Sequence, residues 1–452
     1  MKYINLSSAI LLSAIATTGL AQTFHVTKMD DTFDGTCDGD CSLREAIQHA
    51  NQTPGQDTIY LGPETYLLSI PQDVKTDEVF YDENNNETDD FDITDDVVIV
   101  GRSMDDTIVK GTTRGRVFHV VSGKVRFKNL TITGGNSPFN GGGLLNSGET
   151  ELYRSKLQLN KLSEPDYANE FPKGGGIAND GTLRIYYSRI VENGIVNPEK
   201  SGQGGGVYNS GRLIVRDSVF KENTVAGGGY EEVTGGALAN GGVADIRRSL
   251  FYQNQTLSTG FEAYGTAISN EPKGQLRIVS STISENQGEN KQNHTDSDFI
   301  PALHSRNGSV WITQTTIVNN NGTGIIINGG DTHVKYSIIV NNGLGSDYGP
   351  QDCDLWNVEQ FSHVGLVIGD EEYSRCSADV EIDSSTTFTS LLEPVKDHEL
   401  FDIYYRPRPS GIAVDAVATP CARHDQLSME TAYDGDGDGV GHCDLGAVEW
   451  RP

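Results

Sequence analysis

A short tract that returns about every 30 residues constrains this chain more than any other feature. It consists of Ser or Thr, an apolar residue two positions on, and Asn three positions later. It runs as Ser155–Asn160, Ser188–Asn193, Ser218–Asn223, Ser249–Asn254, Ser281–Asn286, Thr315–Asn320 and Ser337–Asn342. The steps between successive Asn residues are 33, 30, 31, 32, 34 and 22. Asn129–Gly134 is an earlier, degenerate copy. A Gly-rich tract ending in Asn precedes most copies, as in Gly141–Asn146, Gly174–Asn179, Gly204–Asn209, Gly235–Asn240 and Gly265–Asn270. Between the two tracts apolar residues alternate, as at Leu183, Ile185 and Tyr187, then at Leu213 and Val215.

Alternation of this kind predicts short strands half-buried on one face. A unit of two or three such strands cannot bury its apolar face alone. Stacking coil on coil does so. The expected fold is therefore all-β, a right-handed parallel β-helix over residues 57–342. About ten coils rising ~4.8 Å each would make a rod on the order of 50 Å long. The recurring Asn residues are expected to form an internal amide ladder, which makes them structural and not catalytic. A β-sandwich would not return Gly and Asn in phase.

Coil lengths differ at one phase, after the tract Asn: 161–173, 194–203, 224–234, 255–264 and 287–300. Insertions at one phase emerge on one face of a solenoid. They carry Tyr167, Phe171, Tyr230, Phe261 and Tyr264, together with carboxylates such as Glu164, Glu232 and Asp298. Aromatic faces beside carboxylates can hold sugar rings, so these five aromatics are the candidate ligand residues. Surface loops whose aromatics tuck back onto the coil are the competing reading, and somewhat the stronger one.

The ends have other compositions. Residues 1–21 read as a signal peptide, with Lys2, an apolar stretch through Ile10–Ala16, and small residues at Gly19 and Ala21. Residues 22–56 form the expected N-terminal cap. Within it Ser42 and Glu45 make a capping box, and Leu43, Ala46, Ile47 and Ala50 lie on one helical face. The stretch Tyr81–Asp90 reads as a flexible acidic loop. Residues 343–452 hold the C-terminal coils and cap. The six cysteines, Cys37, Cys41, Cys353, Cys376, Cys421 and Cys443, suit an exported chain with disulfides. Sequence proximity favours the three neighbour pairs among the 15 pairings open to six cysteines. Asp434, Asp436 and Asp438 alternate before Gly439, as in the start of a calcium loop. Leu445 stands where an EF-hand needs Glu, so Asp444 is the candidate to complete a structural Ca²⁺ shell. A solvated Asp-Gly loop is an equal alternative.

The formal net charge is −29. Nucleic acid and bare anionic polysaccharide are therefore poor partners, because both would be repelled. Arg184, Arg212, Arg216, Arg247 and Arg277 sit near strands and read as outward-facing ladder charges. The histidines, among them His119, His304 and His333, show no metal-ligand spacing.

The run Cys41-Ser-Leu-Arg-Glu-Ala-Ile-Gln-His-Ala-Asn51 resembles the N-terminal motif of exported CSLREA-domain proteins. The Gly-rich and Ser-x-apolar coils are similar to that family's body. Cys353, Cys376, Cys421 and the ending Cys443–Glu449 resemble its choice-of-anchor region. The resemblance covers nearly the whole chain after residue 21. It implies a pectin-lyase-like helix and export to the cell surface or medium, with the periplasm left open by the sequence, and it implies no established activity. Similar coils occur in polymorphic outer-membrane proteins.

Several polysaccharide lyases and hydrolases share such coils, but fold does not give function. No paired-carboxylate motif of a glycoside hydrolase is visible. Val310-Trp311-Ile312 matches a lyase motif only in part, because Thr313 and Gln314 replace its acid and His. The reading leans away from an enzyme. It favours a monomeric surface or secreted protein, adhesin or matrix-like, that binds glycan or a cell-surface partner. A polysaccharide lyase or hydrolase and a ligand-free scaffold are the alternatives.

Overall fold

The structure, a computed structural model, describes residues 20–71, 83–163, 172–197, 201–228, 232–260, 263–290, 300–343, 351–370, 374–395, 403–418 and 420–452. The expected signal peptide lies almost wholly outside the described residues. No helix among the described residues is long and apolar enough to cross a membrane.

The chain winds as a right-handed parallel β-helix. One coil shows how it is built. Ile177–Asn179 belongs to a ten-stranded sheet. Thr182–Tyr186 and Arg189–Val191 belong to a 22-stranded sheet, and Gly194–Asn197 belongs to a six-stranded sheet. Each strand pairs in parallel with its counterpart one coil on: Leu183 with Leu213, Ile190 with Phe220, Asn179 with Asn209. The parallel pairing continues past residue 342, where Cys353–Trp356 stacks on Ile325–Asn328 and Gln360–Gly369 on Asp331–Val340. The expected post-Asn insertions begin as ordered strands. Gly194–Asn197, Thr224–Gly227, Gln255–Ser258 and Gln287–Asn290 make most of the six-stranded sheet.

Two corners per coil turn on non-glycine residues with positive φ. They precede the tract Ser and the tract Asn, as at Tyr187 and Glu192, Asp217 and Glu222, and Arg248 and Gln253. Such backbone costs on the order of 1–2 kcal/mol per residue. The following polar side chain offsets that cost. Ser155, Ser188, Ser218 and Ser249 each donate a backbone N–H to the next coil's serine hydroxyl at 3.0–3.3 Å. Asn160, Asn193, Asn223, Asn254, Asn286 and Asn320 each donate an amide N–H to the next Asn at 2.8–3.1 Å. The ladder ends when Asn342 donates to the Asp352 carboxylate at 2.8 Å. A second ladder links Asn146, Asn179, Asn209, Asn240 and Asn270 at 2.6–2.8 Å. Both are buried, and both are structural, as expected.

At the N-terminal end the helix Leu43–Gln52 is capped by the Ser42–Glu45 box, and its apolar face is buried. Arg44 is 0% exposed and ion-paired with Asp31 at 2.8 Å. It also donates to the carbonyls of Asn86, Thr88, Asp89 and Asp90. Residues 83–90 are therefore not the expected flexible loop. A buried guanidinium needs several acceptors, and this segment wraps around it to supply them. Residues 72–82 lie outside the described residues.

The C-terminal segment does more than follow the last coil. Residues 403–418 and 420–452 fold back along the outside of the 22-stranded sheet. Ala447 N–H donates to Thr316, Gly446 N–H to the Tyr336 carbonyl, and Ser428 to Asp217. Ile403, Tyr405, Val417 and Leu445 make a second apolar core with the outward residues Leu250 and Ile338. The cysteines pair as Cys37–Cys41, Cys353–Cys376 and Cys421–Cys443, the three neighbour pairs.

Candidate functional site: a cationic cleft

The register of the 22-stranded sheet maps its outer face. Each first strand of a coil presents its first, third and fifth residues outward. These are Arg212, Ile214 and Arg216, then Val243, Asp245 and Arg247, then Gln275, Arg277 and Val279. Two further coils add Ser309, Trp311 and Thr313, then Asp331, His333 and Lys335. Inward residues of the same strands, such as Leu276 and Ile278, are fully buried, so alternation alone points the cations outward.

The C-terminal segment stands beside this face. Ser280 donates to the His424 carbonyl at 3.0 Å, which fixes the wall formed by 420–424. Between wall and sheet lies a cleft of about 830 Å³. Arg212, Arg247, Arg248, Arg277, Lys335 and Arg423 line it, and Asp245 is the one carboxylate in its lining. Arg247 pairs with Asp245 at 3.0 Å, as does Arg216 at 2.8 Å. Burial raises the Asp245 pKa, but the hydrogen bonds and charges of Arg247 and Arg216 outweigh it and hold the carboxyl below its ordinary value. Arg248 is held in a two-point pair with Asp217 at 2.7 and 2.8 Å. Arg212, Arg277 and Lys335 have no carboxylate partner among the described residues. Trp311 is 36% exposed. It lies next to Arg277 on one side and His333 on the other, and it stacks on the His333 ring at 5.9 Å. An exposed indole beside a guanidinium can stack on a sugar ring while the guanidinium binds its acidic substituent.

The candidate ligand residues from the insertions fare differently. Tyr167, Phe171, Tyr230 and Phe261 lie outside the described residues. Tyr264 stacks on His304 at 4.5 Å, with the Arg306 guanidinium 5.6 Å from its ring. Arg306 bridges Glu232 and Glu271. Burial, with a smaller push from Arg306, lowers the His304 pKa to about 3, so the imidazole is neutral. Tyr264 is thus engaged with its own neighbours on the face that carries the insertions, away from the cleft.

Of the calcium candidates, Asp434 and Asp436 come together with Asp415, which sequence reasoning missed. Asp438 is exposed and accepts the Val440 N–H. Asp444 is buried and accepts the N–H groups of Asp415 and Trp450. Burial pushes its pKa up to about 6, and burial with the Asp444 charge pushes Glu449 up to about 7. A second group, Asp90, Asp92 and His119, is buried near the N-terminal cap. There Arg116 pairs with Asp90 at 3.2 Å and His119 with Asp92 at 3.3 Å.

No protein-family model matches the chain, and no curated protein matches it. Among solved structures it is similar to the A-module of the mannuronan C-5 epimerase AlgE6 from Azotobacter vinelandii. That likeness has a TM-score of 0.36 and 13% identity, over 80% of this chain and 98% of that one. The AlgE4 A-module of the same organism gives 0.34 and 13%, over 78% and 98%.

Proposed function

We propose that this protein is exported and binds an anionic glycan in the cationic cleft without cleaving it. The observation that carries the reading is the cleft itself: six cations and one carboxylate around an exposed Trp311. The net charge of −29 does not decide against a polyanion. Exposed charges more than ~8 Å apart are largely screened at physiological salt, so a ligand seated in the cleft meets the local charges first. Arg guanidinium groups give two-point contacts to carboxylate or sulfate. Within the described lining, Asp245 has no second carboxylate beside it, which disfavours hydrolysis by a carboxylate pair. Three disulfides and the resemblance to CSLREA-domain proteins support export. Ca²⁺, if held at Asp415, Asp434 and Asp436, would act on the C-terminal segment and not inside the cleft.

The test is affinity electrophoresis of the mature protein in polygalacturonate, heparin and neutral dextran, with and without Ca²⁺, followed by product analysis. Retardation by the polyanions alone, weakening as salt rises, is expected. Equal retardation by dextran, or none in any gel, sinks the proposal, and shortened or unsaturated products convert it into an enzyme.

A further inference from the structure

The three cations without a carboxylate partner are arranged regularly. Arg212 is the first residue of its strand, Arg277 the third and Lys335 the fifth. The register places Arg277 two coils beyond Arg212, and Lys335 two coils beyond Arg277. Each step is therefore two coils along the axis and two residues across the sheet. With strands ~4.8 Å apart and ~3.3 Å per residue, each step is about 12 Å, and the three Cα positions fall on one oblique line about 24 Å long. Trp311 adjoins Arg277 on the coil between Arg277 and Lys335, close to that line.

A small anion needs donors that converge on one point. Here the available donors are spread along a line at equal intervals. We infer that the ligand is a linear polyanion that crosses the sheet obliquely, with a charged group at Arg212, Arg277 and Lys335 in turn and a sugar ring on Trp311. This rests on the cleft being the binding site, and adds the polymeric nature and direction of the ligand. An extended chain with a two-residue repeat shows every second acidic substituent to the same side, so it can meet regularly spaced cations in turn. The 420–424 wall, with Arg423, closes the opposite side.

The experiment is calorimetric titration of the full mature protein with size-graded oligogalacturonides and size-graded heparin oligosaccharides. Affinity should climb with length until an oligomer spans from Arg212 to Lys335, then level off. The series with the tighter plateau identifies carboxylate or sulfate as the anion. Arg212→Ala, Arg277→Ala and Lys335→Ala should each weaken the long oligomers by about tenfold, which is about 1.4 kcal/mol. Each should also make binding less salt-dependent. Lys124→Ala, on the same sheet face three coils before Arg212, should change nothing. All four side chains point outward, and circular dichroism verifies the fold of each variant. If free galacturonate or a dimer binds as tightly as the long chain, the linear-polymer inference is wrong while the cleft reading stands. If no member of either series binds, both are wrong.

Discussion

The coil body and the C-terminal segment are held by different chemistry. In the body from Asn146 to Asn342, the polar groups that repeat inside the coils are neutral: two Asn ladders and a Ser ladder, each bond repeated from coil to coil. In the segment the buried polar groups are carboxylates. Asp425 accepts the N–H groups of Met429 and Glu449, Glu449 those of Tyr433 and Asp444, and Asp444 those of Asp415 and Trp450. A neutral amide both donates and accepts, so it can be stacked indefinitely. A carboxylate only accepts, so it suits a one-off fold rich in turns. The contrast teaches that length and rigidity come from the ladders, while the raised carboxyl groups Asp444 and Glu449 put a pH response into the C-terminal segment.

The largest effect is expected in the ladder. Asn223→Ala strips the acceptor from Asn193 N–H and Nδ2 and the donor from Ile190 O and Asn254. Several buried groups lose partners at about 1–3 kcal/mol each, so denaturant titration should show a loss of about 4 kcal/mol. A loss under 1 kcal/mol would mean that the ladder is decoration.

The next effect separates the regions by the sign of their pH response. Asp444 and Glu449 have raised values, about 6 and about 7, so the native state retains protons that the unfolded chain releases. Their stabilisation is complete below about pH 4 and is lost as pH rises through 6–7. His304 runs the other way. Its value is lowered to about 3, so its contribution is present above about 6.5 and is lost on acidification. Raising the pH from 5 to 8 should weaken the segment by on the order of 3 kcal/mol, and Glu449→Gln should flatten that dependence at some cost in stability. Thermal melts of wild type, Glu449→Gln and His304→Phe across pH 4–9 read both slopes, and parallel slopes in all three would erase the contrast.

A smaller loss follows from opening Cys421–Cys443, which closes a loop across the segment with a sequence separation of 22. Replacing both cysteines by serine should cost the segment about 2–3 kcal/mol. Limited proteolysis should then cut between 403 and 452 while the coils stay intact. Cleavage throughout the coils would show the two regions to be one cooperative unit. The smallest change in stability, within about 0.5 kcal/mol, belongs to Trp311→Ala, which should nevertheless reduce polyanion binding. A large drop in melting temperature would recast Trp311 as a packing residue.

The solenoid was legible because Gly and Asn return in phase, and the helix cap because Ser42 and Glu45 have the right spacing. The neighbour disulfides followed from proximity. The corners were not legible, since Tyr187, Asp217, Arg248 and Ser280 share no residue type; what they share is the Ser that follows. Arg44 read only as part of a motif, because its acceptors at 86–90 come from a different stretch of chain. The outward Arg residues were noticed, but Arg212, Arg277 and Lys335 stand 65 and 58 positions apart. Only strand register sets them on one line, and only the folding-back of the C-terminal segment makes their face a cleft. A net charge summed over the chain hides such a patch.

Hydrogen-exchange mass spectrometry of the protein, with and without polygalacturonate, tests most directly where the ligand sits. The account predicts added protection in Gln275–Val279, Ser309–Thr313 and the 420–424 wall, and none around Tyr264 and His304. Protection centred on Tyr264 and His304, with the cleft unchanged, would contradict it and return the binding site to the face that carries the insertions.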